Sequence, residues 1–246
     1  MSDNEKRRRR TWSAFTRRLL VAATMVGGGL TFVFNGPPSA AQETRPVPKA
    51  LHDIAPTAGR QTAVFAGGCF WGVQAVFQHV AGVASVTSGY AGGIAATATY
   101  EETETGATGH AEAVEITFDP KQVSYGKLLE IYFSVAHDPT QLGGQGPDSG
   151  PQYRSAIFPR DEKQAKVATD YIAQLDASGV FSRSIATTIE DGKTFYPAEA
   201  YHQDYVYNNP GQPYVVIYEK PKIGALHRLF PGLYRQKPVL VADSAS

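Results

Sequence analysis

Apolar and polar positions change their period several times after residue 60, and those changes divide the chain into elements. Thr62 to Ala66 is a short apolar run closed by Gly67-Gly68, which predicts a strand. From Phe70, apolar residues fall at 70, 73, 76, 77 and 80, the spacing of a helix. Ala111 to Phe118 alternates, carries β-branched residues and stops at Asp119-Pro120, so it predicts a second strand. Ser124 can cap a following helix whose apolar side holds Leu128, Leu129, Ile131, Tyr132 and Val135. Ser155 to Phe158 predicts a strand. Ala165, Ala168, Ile172 and Leu175, spaced by 3, 4 and 3, predict a helix from Asp161 to Asp176. A short strand over Ala186 to Ile189 and a short helix over Glu199 to Tyr207 complete the pattern. Strands alternating with helices predict an α/β sandwich. Residues 89–109 and 138–151 read as long Gly-rich loops, a kind more often functional than not.

The first 41 residues follow a different pattern. Lys6 to Arg10, Arg17 and Arg18 precede an apolar run from Leu19 to Phe34. Asn35-Gly36-Pro37-Pro38 and the small residues Ser39-Ala40-Ala41 follow. This is the order of an export signal cleaved after Ala41. Its 16 apolar residues include three glycines and are short for a membrane span, although an uncleaved anchor is the alternative. The pairs Arg9-Arg10 and Arg17-Arg18 leave a twin-arginine route open. The expected organisation is a signal peptide at 1–41, a flexible polar lead-in at 42–60, one catalytic domain at 61–235 and a tail at 236–246. The expected location is periplasmic or extracellular, with membrane contact only during export.

The chain has 246 residues, 42% hydrophobic and 19% charged, enough for one domain with a real core. It carries 23 basic and 23 acidic residues, so no global positive charge suggests nucleic acid. Outside residues 1–41 there remain 16 basic and 21 acidic residues. One cysteine excludes an internal disulfide, and the six histidines show no ligand spacing, so no metal is expected.

That cysteine, Cys69, follows a strand and two glycines and precedes a helix. A helix N-terminus favours a thiolate, and the glycines let the backbone turn sharply and leave room for a ligand. The alternative is a buried cysteine acting as a small hydrophobe. Phe70 and Trp71 set two aromatic faces beside it. On the strand over 111–118, Glu112 shares a face with Val114, Ile116 and Phe118. An acid in that company is expected to be buried, and burial raises its pKa toward that of a proton donor at neutral pH. A rim glutamate paired with a base is the alternative. The stretch from His137-Asp138-Pro139 through Asp148 to Gln152-Tyr153-Arg154-Ser155 can line a pocket.

Gly68-Cys69-Phe70-Trp71-Gly72, Gly109-His110-Ala111-Glu112, the 137–155 stretch, Phe195-Tyr196-Pro197-Ala198-Glu199 and Tyr201-His202-Gln203 occur in this order. Together they resemble the A-class peptide methionine sulfoxide reductases, over roughly residues 62–212. The resemblance implies an α+β fold, a ferredoxin-like two-layer α/β sandwich with extended loops. It implies reduction of methionine-S-sulfoxide in oxidised proteins, with Cys69 as nucleophile and Glu112 as the acid that protonates the sulfoxide oxygen. Tyr100 and Tyr153 match residues that hold that oxygen, and Asp148 an aspartate that orders the polar site. Phe70 and Trp71 match the walls of a methyl pocket. Many members of the family resolve the resulting sulfenic acid with a later cysteine. Residues 207–246 contain none, so an external thiol is required, a thioredoxin-like protein or glutathione with glutaredoxin. No cofactor is implied, and a monomer is expected. Two other readings stay open. One is an exported Cys–His hydrolase using His110, His137 or His202 as base. The other is a non-catalytic binding domain that keeps the fold.

Overall fold

The computed structural model describes residues 44–241. The signal-like segment 1–41 lies outside the described residues. In chain order the elements are β1 (Gln61–Gly67), α1 (Phe70–Gln78), β2 (Val83–Ala91), α2 (Tyr100–Glu104) and β3 (Ala111–Phe118). Next come α3 (Tyr125–Ile131), which runs on as a wider π-helical turn over Tyr132–Ala136, and a small hairpin of β4 (Gly144–Gln145) and β5 (Asp148–Ser149). Then follow β6 (Ser155–Phe158), α4 (Glu162–Ser178), β7 (Thr188–Ile189), β8 (Phe195–Pro197) and α5 (Tyr205–Asn208). A second π-helical turn, Val215–Glu219, leads into α6 (Lys220–Leu229).

Six strands form one sheet in the order β7-β6-β1-β3-β2-β8. All neighbours are antiparallel except β6 and β7. The inner four, β6-β1-β3-β2, have the ferredoxin-like order, with α1 between β1 and β2 and α3 between β3 and β6. β3 shows why the sheet has two unlike faces. Its Val114, Ile116 and Phe118 enter the main core with Phe65, Phe77, Leu128 and Tyr132. Its Ala111 and Ala113 join Ala66, Ala91 and Ala156 on the thinner side. Alternation along one strand thus sorts bulky from small side chains.

Ser124 caps α3 by accepting the N–H of Lys127, and Asp161 caps α4 by accepting that of Gln164. The loop expected over 89–109 begins instead inside β2, which pairs with β3 from Val83 to Ala91. The glycine that signalled a loop serves a different end: a Cβ on Gly89 would lie 2.3 Å from the Tyr196 carbonyl oxygen of neighbouring β8. The expected helix over 199–207 divides into a 3-10 turn at Ala200–His202 and α5. They are separated by Asp204 at φ 56, a left-handed backbone.

The described part of the expected flexible lead-in is docked. Arg45 N–H donates to Ser134 O at 3.2 Å, Tyr171 donates its hydroxyl to Pro48 O at 2.5 Å, and Val47 is buried. Asp53 accepts the Gly126 N–H at 2.8 Å at the start of α3. Polar, proline-rich composition hides this docking, because the segment is held through its polar groups by helix ends and side chains. The described part of the tail, to residue 241, is docked too, with Val239 N–H on Gln78 O at 3.0 Å.

Candidate active site

The site begins where β1 ends. Pairing of β1 with β3 runs to Phe65↔Val114, so Glu112 lies beside the turn that carries β1 into α1. The N-cap of α1 is Cys69, whose side chain makes no capping bond. Glu112 reaches across from β3 and accepts the Phe70 N–H on Oε2 at 2.8 Å, satisfying one of the amides a helix start leaves open. Glu112 is 2% exposed, as its strand face predicts. Burial pushes its carboxyl well above its ordinary value. The Phe70 N–H opposes that shift, and the charges of Glu104, Asp148 and Glu219 add to it.

Cys69 differs from expectation. It is 8% exposed, and burial pushes its thiol well above the usual range, with Glu112 and Glu219 adding. The Trp71 N–H and the Lys222 ammonium pull the other way and lose. The dipole of a nine-residue helix therefore does not make a resting thiolate here, because desolvation beside carboxyl groups outweighs it. The two glycines also do something other than leave room for a ligand. A Cβ on Gly68, which has φ +83, would meet Gln145 Cγ at 2.5 Å, and one on Gly67 would meet His137 Cγ at 3.0 Å. Gln145 is held by Asp138 through both ends of its amide.

Trp71 is half-buried. Its indole N–H donates to His202 Nδ1 at 3.1 Å and its ring stacks on Tyr205 at 3.7 Å. Phe70 is 1% exposed and packs among Tyr90 and His202, so Trp71 is the more open of the two expected walls. Tyr100 begins α2. Glu199 accepts its N–H at 2.9 Å and the Tyr90 hydroxyl at 2.7 Å. Burial, then the charges of Glu104 and Glu112, push the Tyr100 phenol up to about 12. Tyr153 closes the 3-10 turn Pro151–Tyr153 and donates its hydroxyl to Glu104 Oε1 at 3.0 Å. Asp148 accepts the Tyr214 hydroxyl. Burial raises the Asp148 carboxyl against the pull of Tyr214 and Lys222.

Cys69, Glu112, Tyr100, Tyr153 and Asp148 thus fall within one mutually interacting set of charges. The sequence reading missed Glu104, Tyr205, Tyr214, Glu219 and Lys222. Glu219 is 1% exposed, and Lys222 Nζ lies 2.8 Å from its Oε2. Both come from the second π-helical turn and α6. The sequence did signal that helix, through Pro221 at its start and Ile223, Leu226 and Leu229 at helical spacing. Gly72 makes their approach possible, since a Cβ there would fall 1.6 Å from Glu219 Oε2.

None of the three candidate bases, His110, His137 and His202, is hydrogen-bonded to Cys69 among the described residues. His110 accepts the Gly93 N–H and donates to Ile94 O. His137 bonds Tyr132 O at 3.2 Å and Ser155 Oγ at 2.6 Å, and burial holds it down to about 3. His202 accepts the Trp71 indole N–H on Nδ1, and its buried Nε2 has no hydrogen-bond partner. The hydrolase alternative therefore lacks its dyad.

Residues 61–230 match a family model described as peptide methionine sulfoxide reductase. The chain is 58% identical over 188 residues to peptide methionine sulfoxide reductase MsrA 2 of Mesorhizobium japonicum, covering 76% of this chain and 96% of that protein. It is 52% identical over 181 residues to MsrA 2 of a Synechocystis strain, covering 72% and 85%. Among solved structures it is similar to reduced Mxr1 from Saccharomyces cerevisiae, with TM-score 0.54 and 30% identity over 65% of this chain and 92% of that one. It is also similar to methionine sulfoxide reductase A of Corynebacterium diphtheriae, with TM-score 0.51 and 35% identity over 68% and 83%.

Proposed function

Because the chain belongs to the peptide methionine sulfoxide reductase family and is a reductase of methionine-S-sulfoxide, we propose that Cys69 and Glu112 carry its chemistry. The observation behind this reading is a buried carboxyl fixed on the amide next to the one thiol in the chain, where burial raises its pKa. In this reading Cys69 Sγ attacks the sulfoxide sulfur while Glu112 gives its proton to the oxygen. The protonated oxygen then passes to Sγ: the substrate's sulfur–oxygen bond and the transient sulfur–sulfur bond break, and an oxygen–sulfur bond to Cys69 forms. The proton that leaves Cys69 returns to Glu112. Cys69 is oxidised by two electrons to the sulfenic acid, and the substrate sulfur is reduced by two to the thioether. Tyr100 and Tyr153 hold the oxygen, Asp148 with Tyr214 braces the wall, and Trp71 and Phe70 receive the S-methyl group.

With one cysteine, an external thiol completes the cycle. A first thiol forms a mixed disulfide with Cys69 and releases water, and a second releases the Cys69 thiol. We place this work outside the cytoplasm on the strength of the signal-like order of residues 1–41. N-terminal sequencing of the protein from a periplasmic fraction checks the location.

The test of the chemistry is to incubate the protein with a methionine-S-sulfoxide peptide and no reductant, then weigh it. One methionine per chain and one added oxygen on Cys69 are expected. Two methionines per chain with no second oxygen on Cys69 would require a second redox centre and would overturn the single-thiol cycle.

A further inference from the structure

The hydroxyl of Tyr153 has a claimant that the roles above leave unused. Glu104 Oε1 accepts it at 3.0 Å. A phenol has one proton to donate. A carboxylate is a strong acceptor for it, since charge-assisted bonds are roughly twice as strong as neutral ones. Burial, and then the charges of Glu112 and Glu104, keep that phenol protonated, so the single proton is present and spoken for.

We propose that Glu104 is a positioning residue that competes with the sulfoxide oxygen for the Tyr153 hydroxyl, weakening the enzyme's hold on substrate. The inference rests on the reading of Tyr153 as an oxygen holder. Bound sulfoxide must turn the hydroxyl away from Glu104 to receive its proton. The surroundings of Glu104 suit this role. It ends α2, the five-residue helix that begins with Tyr100, and its side chain is exposed, so no core packing calls for a carboxylate there. The helix and the turn carrying Tyr153 are also joined independently of the carboxylate, by Gln152 Nε2 on the Glu104 carbonyl oxygen at 3.4 Å. Removing the carboxylate therefore leaves the two elements tied while freeing the hydroxyl.

The experiment is calorimetric titration of a methionine-S-sulfoxide peptide into the Cys69→Ser protein, where no chemistry follows binding. Adding Glu104→Ala is expected to tighten binding by about 2- to 10-fold, the worth of one hydrogen bond released for use. Glu104→Gln is expected to tighten it less, since its amide can either accept or donate toward the phenol. In a Tyr153→Phe background the effect of Glu104→Ala is expected to shrink below about twofold, because no hydroxyl remains to free. Unchanged or weaker binding in Glu104→Ala overturns the proposal. So does equal tightening with and without the Tyr153 hydroxyl, which would assign the effect to the charge alone. If the Cys69→Ser protein binds no sulfoxide and the unaltered chain yields no methionine, the reading of the whole site falls with it, a result distinct from either of those.

Discussion

The two halves of the site are built by different means. Cys69 and Glu112 stand on the sheet side. One sits at the end of β1 and the other within β3, and they are joined through a backbone amide at 2.8 Å. Strand register sets their geometry. Tyr100, Asp148, Tyr153 and Tyr214 stand on the other side, on short helices, a hairpin of two-residue strands and turns, and Trp71, on α1 two residues after Cys69, meets them at Tyr214. Several of them are joined by side-chain bonds between residues far apart in the chain: Tyr153 to Glu104, Tyr214 to Asp148, and Trp71 to His202. Groups that must meet a reacting atom gain from rigid elements. A wall that admits a side chain from many different proteins gains from parts that exchange partners.

Substitutions on the two sides should therefore differ in size and kind. Cys69→Ser is expected to abolish sulfoxide reduction with the fold retained, read by methionine release and circular dichroism, because a hydroxyl is a far weaker nucleophile. Glu112→Ala should slow single-turnover methionine formation by about 10²- to 10⁴-fold, with Glu112→Gln milder. Wild-type rates in Glu112→Ala would move the acid to the loop side and break the contrast. Gly72→Ala sits on the seam between the halves. Its Cβ would collide with the Glu219 carboxylate, and a loss of about 1–3 kcal/mol is expected in denaturant unfolding.

The pH dependence of stability carries a further sign. Burial keeps Glu112 protonated in the native state at pH values where the unfolded carboxyl, near 4.5, is ionised. The native state then binds the extra proton, so stability falls as pH rises from that value toward the raised native one. Glu112→Gln should flatten this slope by up to about 1.4 kcal/mol per pH unit. Glu219, also raised by burial, leaves part of it in place. The smallest effect belongs to the wall. Tyr214→Phe, which strips Asp148 of a hydrogen bond, should raise KM by about 2- to 10-fold with little change in kcat. A large fall in kcat would show that the wall takes part in the chemical step.

The same division governs what the sequence discloses. β3 and β6 have the expected bounds, 111–118 and 155–158, because alternation over a one-sided core is a local signal. The face of Glu112 follows from that alternation alone. β2 and β8 carry small, polar or aromatic residues whose pairing depends on the partner strand; only the end of β2, from Gly89, falls in a stretch that reads as loop, and neither strand is signalled. Glu104, Tyr214 and Glu219 depend on long-range placement, which no spacing encodes. The upward push on the Cys69 thiol escapes the sequence for a related reason. A helix start is visible in sequence, whereas the carboxyls that surround the sulfur come from β3 and the turn before α6.

The depth of Cys69 bears on how such an enzyme survives its surroundings. Peroxide oxidises thiolates, and thiols only slowly. With 8% of its surface open and its proton held by burial, the resting Cys69 makes a poor target for the oxidants that damage its substrates. Overoxidation to the sulfinic level, which ordinary thiols cannot reverse, is expected to draw on the sulfenic form during turnover rather than on the idle enzyme. Starvation for reductant, more than exposure to peroxide, would then set its working lifetime.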